Sequence, residues 1–141
     1  MASVLKVDEL QGIASAGAIT VTSEGGTATQ SLQQGLAKAW INFNGSTFAT
    51  NDSLNVASNV DNGSGDYTVT VTNAFDSANY ATAVNANSNN DGWFARVKSS
   101  GGTSAAPSTY TSTAVNFSFA GGGASPTDTS LFTAAYFGDL A

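Results

Sequence analysis

Between Ala39 and Phe137 the chain is a succession of short runs in which apolar and polar residues alternate, and clusters of Gly, Asn, Asp or Ser separate the runs. Alternation at period two places every second side chain on the same face of a strand, and turn-forming clusters at such short intervals leave room only for antiparallel neighbours. The pattern predicts an all-β head, an antiparallel β-sandwich of jelly-roll-like form, spanning 39–141. Seven runs carry it: "AWINF" with Ala39, Ile41 and Phe43 on one face; "SLNVASNV" with Leu54, Val56 and Val60; "YTVTVT" with Tyr67, Val69 and Val71; "NYATAV"; "GWFARVK"; "AVNFSF" with Val115, Phe117 and Phe119; and "SLFTAAYFGDL". Thr68, Thr70 and Thr72 fall on the opposite face of their run, towards solvent or a neighbouring chain.

Residues 1–38 read differently. They contain Leu, Ile and Val but no aromatic side chain, set among Ala, Gly, Thr and Gln, and bury little area alone. "AITVT" predicts a short strand, whereas Leu32, Leu36, Ala39 and Trp40 recur at helical spacing, with Thr29 or Ser31 available as the cap. A segment of this kind gains stability when several copies pool their side chains, so 1–38 is expected to be an attachment and oligomerisation stem, with Ile19, Val21, Leu32 and Leu36 as its apolar contacts.

The last run is apolar on both faces: Phe132, Ala134 and Tyr136 on one, Leu131, Ala135 and Phe137 on the other. A strand buried on both sides needs a second covering surface. Two readings follow, an interface strand in which Leu131, Phe132, Tyr136 and Phe137 meet another chain, or a central strand of one sandwich covered by loops; the uncovered N-terminal segment favours the first.

Several chemistries are excluded at the level of residue types. The chain has no His and no Cys, so it can form neither an imidazole relay, a thiolate metal site nor a disulfide. Four cations against ten acidic residues leave a net charge of −6, which argues against nucleic-acid binding, and no apolar run approaches the length of a membrane span. The start of the chain lacks the pattern of a secretory signal peptide, and its Met fits a complete chain. Only 10% of residues are charged, while Ser, Thr and Asn fill 48 of 141 positions, giving a neutral hydroxyl and amide surface. Asp61, Asp66, Asp76 and Asp91 suit turns, and no spacing selects a catalytic pair among them. In the loop "DNGSGD" a calcium register counted from Asp61 puts Gly63 and Gly65 where oxygen ligands belong, and a register from Asn87 ends on Lys98. The same loop lacks the Lys and the following helix of a phosphate site. No catalytic residue, metal or cofactor is expected. Sugar recognition stays open: Trp40, Trp93, Tyr80 and Tyr110 offer stacking faces beside many amides. Loop residues Asn89, Asp91, Tyr110 and Asp128 are the candidate glycan contacts.

The spaced motifs "KAWINFNG" (Lys38 to Gly45), "DNGSGDYTV" (Asp61 to Val69) and "ANY" (Ala78 to Tyr80) resemble, in order, a module of bacteriophage tail-fibre and virion structural proteins of the marine and cyanobacterial phage type. "LKVDELQ" near the start and "AYFGDLA" at the end resemble the same proteins, whereas Ser99 to Ser130 has no counterpart. The resemblance implies a non-enzymatic, homotrimeric virion appendage, exposed on the particle surface. Its N-terminal segment would join other virion proteins, and its β-head would contribute to attachment to host-surface polysaccharide. A capsid decoration or head-fibre protein is the alternative within that class, and a carbohydrate-binding module of a bacterial surface protein the alternative outside it.

Overall fold

The computed structural model describes residues 5–15, 18–87, 93–98, 110–121 and 126–141. It divides into two compact units, Met1–Leu36 and Ala37–Ala141.

In the first unit, β1 (Thr20–Thr22) and β2 (Thr29–Ser31) form an antiparallel hairpin, followed by a single helical turn, α1 (Leu32–Gly35). The hairpin closes where Ser23 N–H donates to Ala28 O and Gly26 takes φ +72°, a left-handed conformation that costs glycine nothing. Ser31 caps the helical turn, its Oγ accepting from Gln34 N–H at 3.5 Å. The expected helix reaching Trp40 does not form: the cap at Leu36 is already extended, and Ala39 and Trp40 belong to a strand. Its apolar spacing is shared between two structures, since Ala39 and Trp40 alternate equally well as β residues.

The second unit is an antiparallel all-β sandwich. Its strands are β3 (Ala39–Asn44), β4 (Ala49–Leu54), β5 (Val56–Gly63), β6 (Asp66–Val71), β7 (Ala81–Ala86), β8 (Trp93–Val97), β9 (Ala114–Gly121) and β10 (Phe132–Phe137). One sheet runs β4-β3-β10-β7 and the other β5-β6-β9-β8. Lys38 goes with this unit, because its backbone N–H donates to Tyr136 O at 2.8 Å.

Alternation decides which side chains enter the core. β3, β6 and β10 each bury every second residue: Ala39, Ile41 and Phe43; Tyr67, Val69 and Val71; Phe132, Ala134 and Tyr136. Val115 and Phe117 complete the layer from β9. The sheets meet through their rings: Phe43 lies edge-on to Tyr67 at 4.9 Å, Tyr67 is 5.8 Å from Phe132, and Phe117 is 5.5 Å from Phe132. Each fully buried Phe contributes roughly 1.5–3 kcal/mol by leaving water, so this aromatic layer dominates the stability of the head.

Eight strands replace the seven expected because "SLNVASNV" is split. Asn55 takes φ +54°, accepts from Asn73 N–H at 2.7 Å and donates from Nδ2 to Lys38 O at 3.1 Å. This corner ends β4 at the edge of one sheet and starts β5 at the edge of the other. Asn suits it because its short amide replaces the backbone partners lost at the bend. β4 itself is exposed throughout and carries no apolar alternation, so its sequence gives no strand signal.

The interface-strand expectation is corrected for Phe132 and Tyr136. Both point inward and are about 0–1% exposed in a single chain, because β10 is a central strand between β3 and β7. Leu131 is exposed and Phe137 half-buried.

Candidate functional site

The loop "DNGSGD" joins β5 to β6, and Asp61, Asn62 and Asp66 are engaged within the protein. Asp61 Oδ1 accepts from Gly63 N–H at 2.8 Å, Asn62 donates to Thr68 Oγ1 at 2.8 Å, and Asp66 pairs with Lys98. Gly65, at φ +63°, lies so close to the backbone that a Cβ there would come within 2.6 Å of Phe119 O. Asp128 reaches across to this turn: its Oδ1 accepts from Gly65 N–H at 2.8 Å and from the Tyr67 hydroxyl at 3.0 Å. Burial, reinforced by the Asp128 carboxylate, pushes the Tyr67 phenol well above its usual range. Tyr67 therefore stays a neutral donor, and Asp128 acts as a clasp between two segments of the head.

The motifs of the sequence meet at this clasp. Gly45 of "KAWINFNG" sits against Tyr67 of "DNGSGDYTV", where a Cβ would fall 2.8 Å from the Tyr67 Cζ, and its N–H donates to Thr129 O. At the other end Tyr80 of "ANY" stacks on Phe75 at 4.1 Å, and Gly138 of "AYFGDLA" leaves room for the Tyr80 Cβ. Contacts that close the sandwich account for all four stretches.

Of the loop residues expected to touch glycan, Asn89 and Asp91 lie outside the described residues. Tyr110 packs at 4.9 Å from Tyr80, and its hydroxyl is bonded to Thr82 Oγ1 at 2.5 Å. With Ala78, Asn79 and Tyr80 it lines a cleft of about 430 Å³. Tyr110 is half-buried, because the Tyr80 ring and the bridge to Val115 hold it down.

A second groove, of about 390 Å³, lies on the outer face of the β4-β3-β10-β7 sheet. Strand register builds it. Leu54, Trp40, Ala135 and Ala83 stand side by side across the four strands, and Asp52, Asn42, Thr133 and Asn85 form the next row. Cross-strand neighbours in register share a face about 5 Å apart, so the first row is Leu54 and Trp40 beside two alanines, and the second an edge carboxylate, Asp52, followed by amide, hydroxyl and amide. The small Ala83 and Ala135 leave the space that the indole walls. Asn51 Nδ2 donates to Asn42 Oδ1 at 3.0 Å, fixing the Asn42 amide. Trp40 carried a sugar-stacking reading in the sequence, but its partners on β7 and β10 were invisible there because pairing is a tertiary property.

In the N-terminal unit no described side chain is buried. Ile19 and Leu32 are half-buried, while Val21 and Leu36 are 48% and 55% exposed. Leu5, Val7, Leu10 and Ile13 are exposed as well. Among the described residues no helix is long and apolar enough to cross a membrane. Comparisons of the chain with protein-family models, with curated proteins and with solved structures each found no match.

Proposed function

We propose that the protein is a non-enzymatic structural subunit of a bacteriophage virion: a small homotrimeric fibre-like appendage, exposed on the particle, that contributes to host-surface attachment. One observation carries the reading. The N-terminal unit leaves Leu5, Val7, Leu10, Ile13, Val21 and Leu36 uncovered in a single chain, and apolar side chains in such number favour burial against further copies or other virion proteins. Ile19, Val21, Leu32 and Leu36 then line the contacts of the stem. The ordered motifs of the head support the same class, and its Asp61, Asp66 and Asp128 carboxylates, engaged at the β5–β6 turn and in the clasp, fit an architectural role.

Light scattering on the full chain at micromolar concentration tests the assembly. A mass near three times 14.2 kDa is the expected result, and a monomer overturns the trimer. Antibody labelling of purified particles tests the location: label on tail appendages supports the fibre, whereas high copy number over the capsid supports a decoration protein instead.

A further inference from the structure

We infer that the groove beside Trp40, on the outer face of the β4-β3-β10-β7 sheet, is a binding site for neutral polysaccharide. The inference deepens the attachment reading and rests on it for the presence of a surface glycan, but it moves the contact from the loops to the sheet.

Four features of the groove converge. Its wall is a half-buried indole, and its floor beside that ring is Ala83 and Ala135, so a flat apolar slot runs along the ring. A pyranose presents such a slot with an apolar face of C–H groups, which packs on an aromatic ring while the hydroxyls point outward from the edge. The neighbouring row, Asn42, Thr133 and Asn85, lies where those hydroxyls would fall. Amides and hydroxyls both donate and accept, as a sugar hydroxyl does, so each can satisfy it in either direction. The Asn42 amide is already oriented by Asn51, which lowers the cost of ordering it on binding.

Charge selects the ligand class. None of the described side chains lining the groove is ionisable, the nearest in register being Asp52 beside Asn42. An acidic polysaccharide would find no cation here and would meet that carboxylate, in a chain whose net charge is −6. A neutral one meets no penalty. The volume of about 390 Å³ falls within the range of roughly 300–1,000 Å³ usual for small-molecule sites. A second copy of the chain fits less well, because covering this face would take the Asn42, Thr133 and Asn85 row out of water against an identical row, without assured partners.

Affinity electrophoresis of the full chain through gels containing dextran, galactomannan or alginate tests the inference. The two substitutions are Trp40→Ala, which removes the wall, and Ala83→Arg, which fills the slot from an exposed position without entering the core. Retardation by at least one neutral polysaccharide is expected, with the dissociation constant raised about tenfold or more by each substitution. Val60→Ser, on the other sheet, should leave it unchanged. Near-ultraviolet circular dichroism checks that each variant is folded, and a misfolded Trp40→Ala leaves Ala83→Arg to decide.

Retardation by alginate alone, by none of the three, or retardation that survives both substitutions overturns the site. So does a fall in particle mass in Ala83→Arg, which would assign the groove to a second copy. The assembly reading fails separately, by a monomeric mass for the unsubstituted chain, so the two failures are distinguishable.

Discussion

Every buried apolar side chain among the described residues lies between Ala39 and Tyr136, whereas the described Leu, Ile and Val residues before Ala37 are half-buried at most. Both regions are short on charge, and both contain antiparallel pairs, so the contrast is not one of secondary structure. The head owns eight strands whose inward rows face each other and exclude water. The N-terminal hairpin has two strands of three residues and one helical turn, and none of its described side chains is buried. A two-stranded hairpin without a covering layer is marginal in water. The same chain thus joins a region that completes its core to one whose described apolar residues stay exposed or half-buried in a single chain.

The sharpest way to break this contrast is to delete a core ring. Phe132→Ala removes a ring in contact with Phe43, Tyr67 and Phe117 and should cost the head about 3–5 kcal/mol, read as a lower urea midpoint. Leu36→Ser should leave that midpoint within about 0.5 kcal/mol while lowering the assembled mass. Equal losses from both would mean that the two regions share one core.

A smaller effect is expected at the clasp. Gly65→Ala forces a left-handed backbone and a clash with carbonyl oxygens, at about 2–4 kcal/mol. Asp128→Ala strands the Gly65 N–H and the Tyr67 hydroxyl, at about 1–3 kcal/mol. Glycan retardation should persist in Asp128→Ala, since its carboxylate is engaged in the clasp.

Alkali separates the regions again, because all four tyrosines lie in the head. Burial holds the phenols of Tyr67, Tyr80 and Tyr136 above their ordinary value near 10, with Asp128 adding to the effect on Tyr67 and Tyr110 to that on Tyr80. The unfolded chain therefore releases these protons first. Their contribution to stability is level below about pH 10 and falls as pH climbs towards the folded-state values, by at most about 1.4 kcal/mol per pH unit for each enclosed phenol and less for half-exposed Tyr80. Absorbance of the Tyr67, Tyr80 and Tyr136 phenolates should rise together with unfolding; a smooth titration of these three in the folded state would refute the enclosure.

The smallest change concerns Tyr136, whose buried hydroxyl has no hydrogen-bond partner among the described residues. Tyr136→Phe removes an unsatisfied group and should be neutral or stabilising by up to about 1 kcal/mol. A loss above that would reveal a partner for the hydroxyl.

Much of the head was legible in the sequence. Ile41 and Phe43, Tyr67 and Val69, Val115 and Phe117 were assigned to their faces by alternation alone, because one face of each strand is buried. β4 was not legible, since an edge strand with both faces wet needs no apolar residue. The alternation of β10 was legible but its covering was not: Phe132 and Tyr136 read as interface residues because nothing local reveals that β3 and β7 flank them. The groove was legible only as an isolated Trp40, and its amide row exists through register. The clasp was missed because Asp128 and Gly65 are far apart in sequence, joined by a long-range fold rather than by a motif.

The position of β10 bears on how the head comes into being. Among the described strands of the head, β10 is the last in chain order yet central in its sheet, where it joins β3, the first, to β7. Until Phe132 and Tyr136 arrive, β3–β4 and β7 have no common sheet, and the aromatic rows of β6 and β9 have no lid. Closure of the head is therefore governed by long-range pairing, which makes folding slow. During that interval the exposed rings are a liability, and the bulged edge of β5, interrupted at Val56/Ser58 and Asp61/Gly63, is one place where the waiting chain is protected against pairing with its neighbours.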